Sequence, residues 1–213
     1  MDKLSAEDIK SILITVRDLM LENEQYLFKL DSEMGDGDLG ITMKKGFNHI
    51  ADTLKGLQEE DIGQLLLKAA MAITSTSPGT MGTLMGTGLM RAGKSAMGKN
   101  QADLPVLADM MDSFVQGIMD RGKSKPGDRT IIDSLYPAAQ SLKQSAQKRE
   151  GLKQAFFEAY QKSKEGLEST KNMSPSHGKA MYHKQRAAEI EDPGAAAGML
   201  WIKGFYDYIS QGS

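Results

Sequence analysis

Residues 31–40 read DSEMGDGDLG, and this acidic turn places four acidic side chains and three glycines within ten positions. Because clustered carboxylates repel one another, folding them together is unfavourable unless a cation neutralises them. Mg²⁺ prefers oxygen ligands and commonly shares its shell between a few carboxylates and substrate phosphates. Gly35 and Gly37 permit the backbone to turn so that Asp36 and Asp38 come to one side. Two interpretations stay open from the residues alone, a Mg²⁺ site and a solvated acidic turn that caps the next helix.

The acidic turn does not fit an EF-hand calcium loop. An EF-hand requires a bidentate glutamate at loop position 12. That position falls on Phe47 when the loop starts at Asp36, and on Thr42 when it starts at Asp31.

Helical patterns lie on both sides of the acidic turn. Residues 5–8, SAED, resemble a capping box, and apolar residues follow at helical spacing from Ile9 to Met20. A second segment, 23–30, leads into the turn, and further apolar stripes recur as far as a last helix over 195–209. No stretch shows the pattern of a convincing strand. The sequence therefore predicts an all-α fold of about eight helices.

Composition bounds the class of protein. The chain of 213 residues suits one domain, 1–213, and its formal net charge of −2 gives no global field that favours nucleic acid. The lack of cysteine excludes disulfides and thiolate nucleophiles. The polar start shows no signal-peptide pattern, and the longest apolar run, 194–202, is too short to cross a bilayer. We expect a cytoplasmic protein without a membrane partner.

A glycine-rich tract, TSTSPGTMGTLMGTG, occupies residues 74–88. Pro78 and Gly79 indicate a turn, and Gly82 and Gly86 would share one face of a following helix. Such a face allows the close approach either of a phosphate near a helix N-terminus or of another helix. Both interpretations stay open at this point.

Residues 88–95, GLMRAGKS, match the P-loop expression GxxxxGK[ST] in full. A P-loop requires a buried strand before it, but the residues before Gly88 are rich in glycine and threonine. The interior of the motif consists of strong helix formers. We interpret the motif as a chance match.

Two later polar stretches complete the list of candidate features. Residues 120–130, DRGKSKPGDRT, form a charged loop that is either solvated or directed at a phosphate. His177 and His183 are six positions apart, outside the spacing of a helical metal pair, so each is interpreted as a lone exposed histidine.

The acidic turn, the glycine-rich tract, residues 121–130 and the tripeptide 192–194 occur in one order across essentially the whole chain. Together they resemble the DhaL family, the ADP-binding L subunits of bacterial dihydroxyacetone kinase. The resemblance implies a closed barrel of about eight antiparallel amphipathic helices, with the nucleotide at one end in loops between helices.

The resemblance also implies the roles of individual residues. Asp31, Asp36 and Asp38 would hold two Mg²⁺ ions that bridge the diphosphate of ADP or ATP. The positions that match the family's nucleotide contacts are Leu39, Gly40, Ile41, Thr42, Thr80, Met81, Gly122, Ile131, Lys179, Asp192, Pro193 and Gly194. No side-chain nucleophile is expected, because phosphoryl transfer depends mainly on positioning and charge neutralisation.

The family further implies two partners. A separate K subunit would hold dihydroxyacetone, and an M subunit would re-phosphorylate the bound ADP from a phosphohistidine. A homodimer is left open, as is the choice between phosphoenolpyruvate and ATP as phosphoryl source.

The chain departs from the family pattern at three positions. Leu39 stands where the family has a histidine, Met81 where it has a serine, and Lys179 where it has an arginine. A lysine keeps the charge of an arginine but loses its bidentate geometry. These departures leave open another short ketose, such as a four-carbon one, and a paralogue that acts as a nucleotide-dependent regulatory subunit.

Overall fold

The computed structural model describes residues 2–182 and 189–212. The helices within these ranges are α1 (Ala6–Glu22), α2 (Glu24–Met34), α3 (Leu39–Leu54), α4 (Ile62–Thr76), α5 (Thr80–Ser95), α6 (Leu104–Gly122), α7 (Ile132–Lys148), α8 (Leu152–Ser169) and α9 (Pro193–Gln211). Two short 3₁₀ turns cover Thr170–Asn172 and Lys179–Tyr182. The predicted all-α class is confirmed. Among the described residues, the one departure is a bridge too short to give a sequence pattern, in which β1 (Leu4–Ser5) pairs antiparallel with β2 (Gln101–Ala102).

The helix starts follow from local hydrogen bonding. At the start of α1 the capping box is confirmed, since the Ser5 hydroxyl accepts from the Asp8 N–H and the Asp8 carboxylate accepts from the Ser5 N–H. The Asp61 carboxylate accepts the N–H groups of Gly63 and Gln64 at the start of α4. Such contacts satisfy first-turn donors that have no acceptor within the helix.

Neighbouring helices in the chain are also neighbours in space. Contacts join α3 to α4 and each later helix to the next, while α1 contacts both α3 and α9. In the core the ring of Trp201 stacks on Phe114 at a centroid distance of 4.8 Å and also contacts Phe47 and Phe205. That the helices enclose a closed barrel stays a prediction. No described helix has the length and apolar character needed to span a membrane.

The P-loop match lies inside α5 and is helical throughout. Its first glycine, Gly88, packs against a ring, because a Cβ there would lie 2.7 Å from an atom of Phe114. Gly93 faces the neighbouring helix, where a Cβ would lie 2.9 Å from the carbonyl oxygen of Gly63. The motif therefore has no phosphate-binding loop geometry, and its glycines serve helix packing.

The face formed by Gly82 and Gly86 also packs on α4. A Cβ at Gly82 would lie 1.9 Å from the carbonyl oxygen of Ser77, and one at Gly86 would lie 2.2 Å from the Thr74 hydroxyl oxygen. Of the two open interpretations, the structure therefore supports helix packing for Gly82 and Gly86. The N-terminus of α5, at Gly79 and Thr80, lies on a different surface, the cleft described below.

Candidate functional site

A cleft of about 480 Å³ opens among helix termini and connections. Its wall comes from parts of the chain that are far apart in sequence. They are the turn between α2 and α3, the first turns of α5, the connection from α6 to α7, residues 177–180 and the start of α9. Each of these segments begins or ends a helix, so backbone groups without an intrahelical partner are concentrated here.

The acidic turn forms one side of the cleft. One carboxylate oxygen from each of Asp31, Asp36 and Asp38, the carboxylate triad, lies within 4.8 Å of the others. Asp31 Oδ2 accepts from the backbone N–H groups of Asp38 (2.9 Å) and Leu39 (3.1 Å), which closes the turn. Burial raises the pKa of Asp31, and the charges of Asp36 and Asp38 raise it further, against the effect of these two hydrogen bonds.

The turn depends on Gly35 and Gly37. Gly37 has φ of +70°, and a Cβ at Gly35 would lie 2.5 Å from Asp31 Oδ1. The turn therefore brings three carboxylates together, and those of Asp36 and Asp38 are exposed. Converging carboxylates are the donor set that Mg²⁺ accepts in proteins, so the residues fit the predicted ion.

Two helix N-termini face the same cleft. α3 follows Asp38 and α5 follows Gly79, and neither helix has a side-chain cap from these residues. Thr80 and Met81 form the first turn of α5 and line the cleft. First-turn N–H groups and the positive end of the helix dipole favour an anion at such a position.

The connection from α6 to α7 is held by the buried carboxylate of Asp133. This carboxylate accepts from the N–H groups of Gly127 (2.6 Å) and Thr130 (2.7 Å). Arg129 between them adopts a left-handed backbone with φ of +59°. Burial raises the pKa of Asp133, and its backbone hydrogen bonds oppose that rise. Asp133 therefore fixes a loop whose residues line the cleft.

Arg129 continues from this loop into the wall beneath the start of α9. Its side chain is 2% exposed, and its Nη2 donates to the carbonyl oxygen of Ile190 at 2.7 Å. Its Nε and Nη1 have no hydrogen-bond partner among the described residues. Burial lowers the pKa of Arg129 and raises that of Asp192 to about 7, while the attraction between the two charges opposes both shifts. Arg129 thus supports the segment that carries Asp192.

The same segment is tied to α2. The Tyr26 hydroxyl donates to the carboxylate of Glu191, and Lys171 Nζ lies 3.5 Å from the same carboxylate. The Asp192 N–H donates to the Thr170 hydroxyl at 2.9 Å. The helix that leads into the carboxylate triad and the start of α9 are therefore joined by one polar network.

His177 lines the cleft and is not a lone exposed histidine, so that interpretation is wrong. Its Nε2 lies 3.1 Å from Asp128 Oδ2, and its side chain is 36% exposed. His183 lies outside the described residues.

The cleft brings together most of the positions that were predicted to bind metal or nucleotide. They are Asp31, Asp36, Asp38, Leu39, Thr42, Thr80, Met81, Gly122, Ile131, Asp192, Pro193 and Gly194. Gly40 and Ile41 do not line it. Gly40 instead allows α2 and α3 to approach, since a Cβ there would lie 2.4 Å from the carbonyl oxygen of Glu24, and Ile41 is exposed. Lys179 begins a 3₁₀ turn beside the cleft residue Gly178, and its side chain is not among those described.

Sequence reasoning did not single out several residues of the cleft wall. Arg129 and Thr130 were seen as part of a charged loop, but nothing in the sequence indicated that Arg129 is buried. Ser124 and Leu84 carry no pattern of their own. The position of Asp133, six residues after Gly127 and three after Thr130, is the local signal that could have indicated a carboxylate-stabilised loop.

Comparison with known proteins adds a family to this geometry. The DAK2 domain matches residues 33–207. The Escherichia coli (strain K12) protein "PEP-dependent dihydroxyacetone kinase, ADP-binding subunit DhaL" is 31% identical over 200 residues, which cover 94% of this chain and 95% of that subunit. The L-erythrulose kinase of Pectobacterium atrosepticum is 30% identical over 195 residues, which cover 91% of this chain and 33% of that kinase.

The fold also resembles a solved structure. The dihydroxyacetone kinase from C. freundii in complex with AMP-PNP and Mg²⁺ superimposes with a TM-score of 0.72 at 24% identity, covering 97% of this chain and 34% of that one. At this level of identity the likeness supports the helical fold of the chain.

Proposed function

The chain belongs to the DAK2 domain family, and from this premise we propose that it is the Mg²⁺- and nucleotide-binding subunit of a dihydroxyacetone kinase. The observation that carries the proposal is the carboxylate triad beside two helix N-termini in one cleft. Carboxylates alone would repel a phosphate, and helix N-termini alone would not hold a metal ion. A Mg²⁺-nucleotide satisfies both.

Each part of the cleft has a distinct task in this proposal. Asp31, Asp36 and Asp38 hold two Mg²⁺ ions, which when bound neutralise the charge on the phosphates. First-turn N–H groups of α5 donate to phosphoryl oxygens, while the Leu39 N–H at the start of α3 holds Asp31 in place. Apolar side chains of the wall exclude water from the nucleotide; they are Leu39, Met81, Leu84, Ile131 and Pro193. Positioning and charge neutralisation account for most of phosphoryl transfer, so no nucleophilic side chain is required.

The E. coli relative is named as an ADP-binding subunit, and the chain matches other relatives over only part of their length. The chain covers nearly all of the E. coli DhaL subunit but only about a third of the L-erythrulose kinase, in which the matching region is part of a longer chain. We therefore propose that a K subunit holds the ketose and that an M subunit returns a phosphoryl group from a phosphohistidine to bound ADP. The name of the L-erythrulose kinase keeps a four-carbon ketose as an alternative acceptor.

The experiment that tests the proposal replaces Asp36 and Asp38 with asparagine and measures ADP binding by calorimetry with and without Mg²⁺. Loss of the negative charges removes the metal site, so Mg²⁺-dependent binding is expected to disappear. The variants are expected to unfold at the same or a higher denaturant concentration, because substitution also relieves carboxylate repulsion. Asp52→Asn, at an exposed position of α3 outside the cleft, is the matched control.

Unchanged Mg²⁺-dependent affinity in the Asp36 and Asp38 variants would refute the metal site and the kinase function with it. A second candidate function, a nucleotide-dependent regulatory subunit, is suggested by the departures at Leu39, Met81 and Lys179, of which the replacement of an arginine by Lys179 bears on it most directly. It predicts nucleotide binding without phosphoryl transfer when the K and M subunits and a ketose are supplied. Turnover in that mixture would exclude it.

A further inference from the structure

We propose that His177, held in place by Asp128, donates a hydrogen bond to the phosphoryl chain of the bound nucleotide. The inference rests on the proposed function and adds to it a binding residue outside the positions that match the family's nucleotide contacts. The contact is a hydrogen bond and involves no covalent step.

The orientation of the imidazole is fixed from one side. Its Nε2 lies 3.1 Å from Asp128 Oδ2, and the same carboxylate oxygen accepts from the Lys125 N–H at 2.9 Å. The Ser176 N–H, next to the histidine, donates to the Asp128 carbonyl oxygen at 3.2 Å. A side-chain contact and a backbone contact therefore join the two segments, and the ring has a defined position in the cleft wall.

The partner of the imidazole is a charged carboxylate. Burial acts to raise the pKa of Asp128, but the hydrogen bonds from Lys125 and His177 and their charges hold it below its ordinary value. A carboxylate that accepts from Nε2 leaves Nδ1 as the second polar atom of the ring. When both ring nitrogens carry a proton, Nδ1 is a donor as well.

Few described side chains of the cleft wall can supply positive charge to a ligand. Among the described side chains that line the cleft, positive charge can come from Arg129 and His177. Arg129 is 2% exposed and donates to Ile190 beneath the wall, whereas the His177 side chain is 36% exposed. His177 is therefore the described residue able to present a cationic donor at the surface of the cleft.

A nucleotide offers one anionic part, its phosphoryl chain. Hydrogen bonds between a cationic donor and an anionic acceptor are about twice as strong as neutral ones. Adenine and ribose offer the imidazole neutral acceptors alone, so the phosphoryl oxygens are its preferred partners. The carboxylate triad repels the same oxygens until Mg²⁺ is bound, which increases the value of a further cationic group.

The test compares Mg²⁺-ADP with adenosine, which lacks phosphates, as ligands of the wild type and of His177→Gln. Calorimetry measures ADP, and NMR titration measures the weaker adenosine. Glutamine retains a neutral polar side chain without the charge, so ADP affinity is expected to fall about tenfold or more, the usual effect of losing a hydrogen bond to a charged group. Adenosine affinity is expected to stay unchanged, and His177→Arg is expected to restore most of the ADP affinity.

Two results would overturn the inference. One is unchanged ADP affinity in His177→Gln, and the other is an equal loss for ADP and adenosine, which would indicate a purely structural role. Either result leaves the proposed function intact as long as the wild type binds ADP in a Mg²⁺-dependent way. Absence of that binding in the wild type refutes the proposed function itself.

A double-mutant cycle tests the part played by Asp128. Asp128→Asn keeps an oxygen for the Lys125 N–H but removes the negative charge that faces Nε2 of His177. We expect it to weaken ADP binding and to cause no further loss when His177→Gln is already present. Additive losses would contradict the assignment of Asp128 as the positioning residue of His177.

Discussion

Replacing Gly37 with alanine perturbs the acidic turn without changing any of its carboxylates. Gly37 lies between Asp36 and Asp38 and has φ of +70°, a conformation that a residue with a Cβ rarely adopts. The added Cβ would lie 2.6 Å from the Ser32 hydroxyl oxygen and 3.1 Å from Cε2 of Phe28. The Ser32 hydroxyl must then turn away, which breaks its hydrogen bond to the Phe28 carbonyl oxygen at 2.7 Å.

The free energies can be worked out from these contacts. A left-handed backbone costs a residue with a Cβ roughly 1–2 kcal/mol. Loss of the hydrogen bond adds about 1 kcal/mol, so Gly37→Ala is expected to lower the free energy of unfolding by about 2–3 kcal/mol. Gly56 gives a matched control, because its φ is +71° and a Cβ there would meet no atom within 4 Å. Gly56→Ala is expected to lower the free energy of unfolding by roughly 1–2 kcal/mol, from the backbone alone.

The assay has two measurements, urea unfolding without ligand and calorimetric titration with Mg²⁺-ADP. The strain that the Cβ at position 37 introduces lies in the turn that must hold the ion. If about 1.4 kcal/mol of this strain has to be overcome when Mg²⁺-ADP binds, ADP affinity falls tenfold. Affinity in Gly56→Ala is expected to stay at the wild-type value, since Gly56 ends α3 at the opposite terminus from the turn. Equal destabilisation of the two variants together with wild-type affinity in Gly37→Ala would refute the reasoning.

Two further predictions concern the chance motif and the buried acid. Lys94→Ala, in the last turn of α5, is expected to leave ADP affinity unchanged, because the P-loop match is helical; loss of calorimetric binding would contradict this. Burial raises the pKa of Asp192 to about 7, above its unfolded value near 4. Its contribution to stability is therefore full below pH of about 4 and is lost as the pH rises through about 7, by about 4 kcal/mol at most. Urea unfolding from acid to neutral pH gives the free energy of unfolding of the wild type minus that of Asp192→Asn. This quantity is expected to fall as the pH rises, and an increase with pH would contradict the sign.

The helical class was predictable because it depends on local signals. The capping box at Ser5 and the apolar spacing of α1 involve residues within a few positions of each other, and the structure contains both. The glycine at position 56 ends its helix for the same local reason. The two-residue bridge between β1 and β2 joins segments far apart in the chain, so no window of sequence contains it.

The cleft was predictable only in part. The carboxylate triad is close in sequence and was identified from spacing, whereas the remaining wall was expected from the family resemblance. Arg129 and Ile190 meet across 61 positions, and His177 and Asp128 across 49. Burial of a charge and the pairing of distant side chains are tertiary properties, and a charged loop and a histidine are exposed in most sequences. For the same reason the close contact of Gly40 with α2 had no sequence signal.

The departures from the family pattern bear on the choice between a kinase and a regulatory subunit. At position 39 the side chain differs, but the Leu39 N–H still donates to Asp31 and closes the turn. At position 81 the hydroxyl is absent, but Met81 lies in the first turn of α5, where its N–H has no acceptor within the helix.

Any residue except proline supplies these backbone donors, so substitution changes the side-chain surface while leaving the amide groups in place. Because phosphoryl transfer relies on such fixed donors and on bound cations, the two departures are compatible with catalysis. They are therefore weak evidence for a purely regulatory role. The side-chain departure at Lys179 carries more weight, because it replaces a bidentate donor with a single ammonium group.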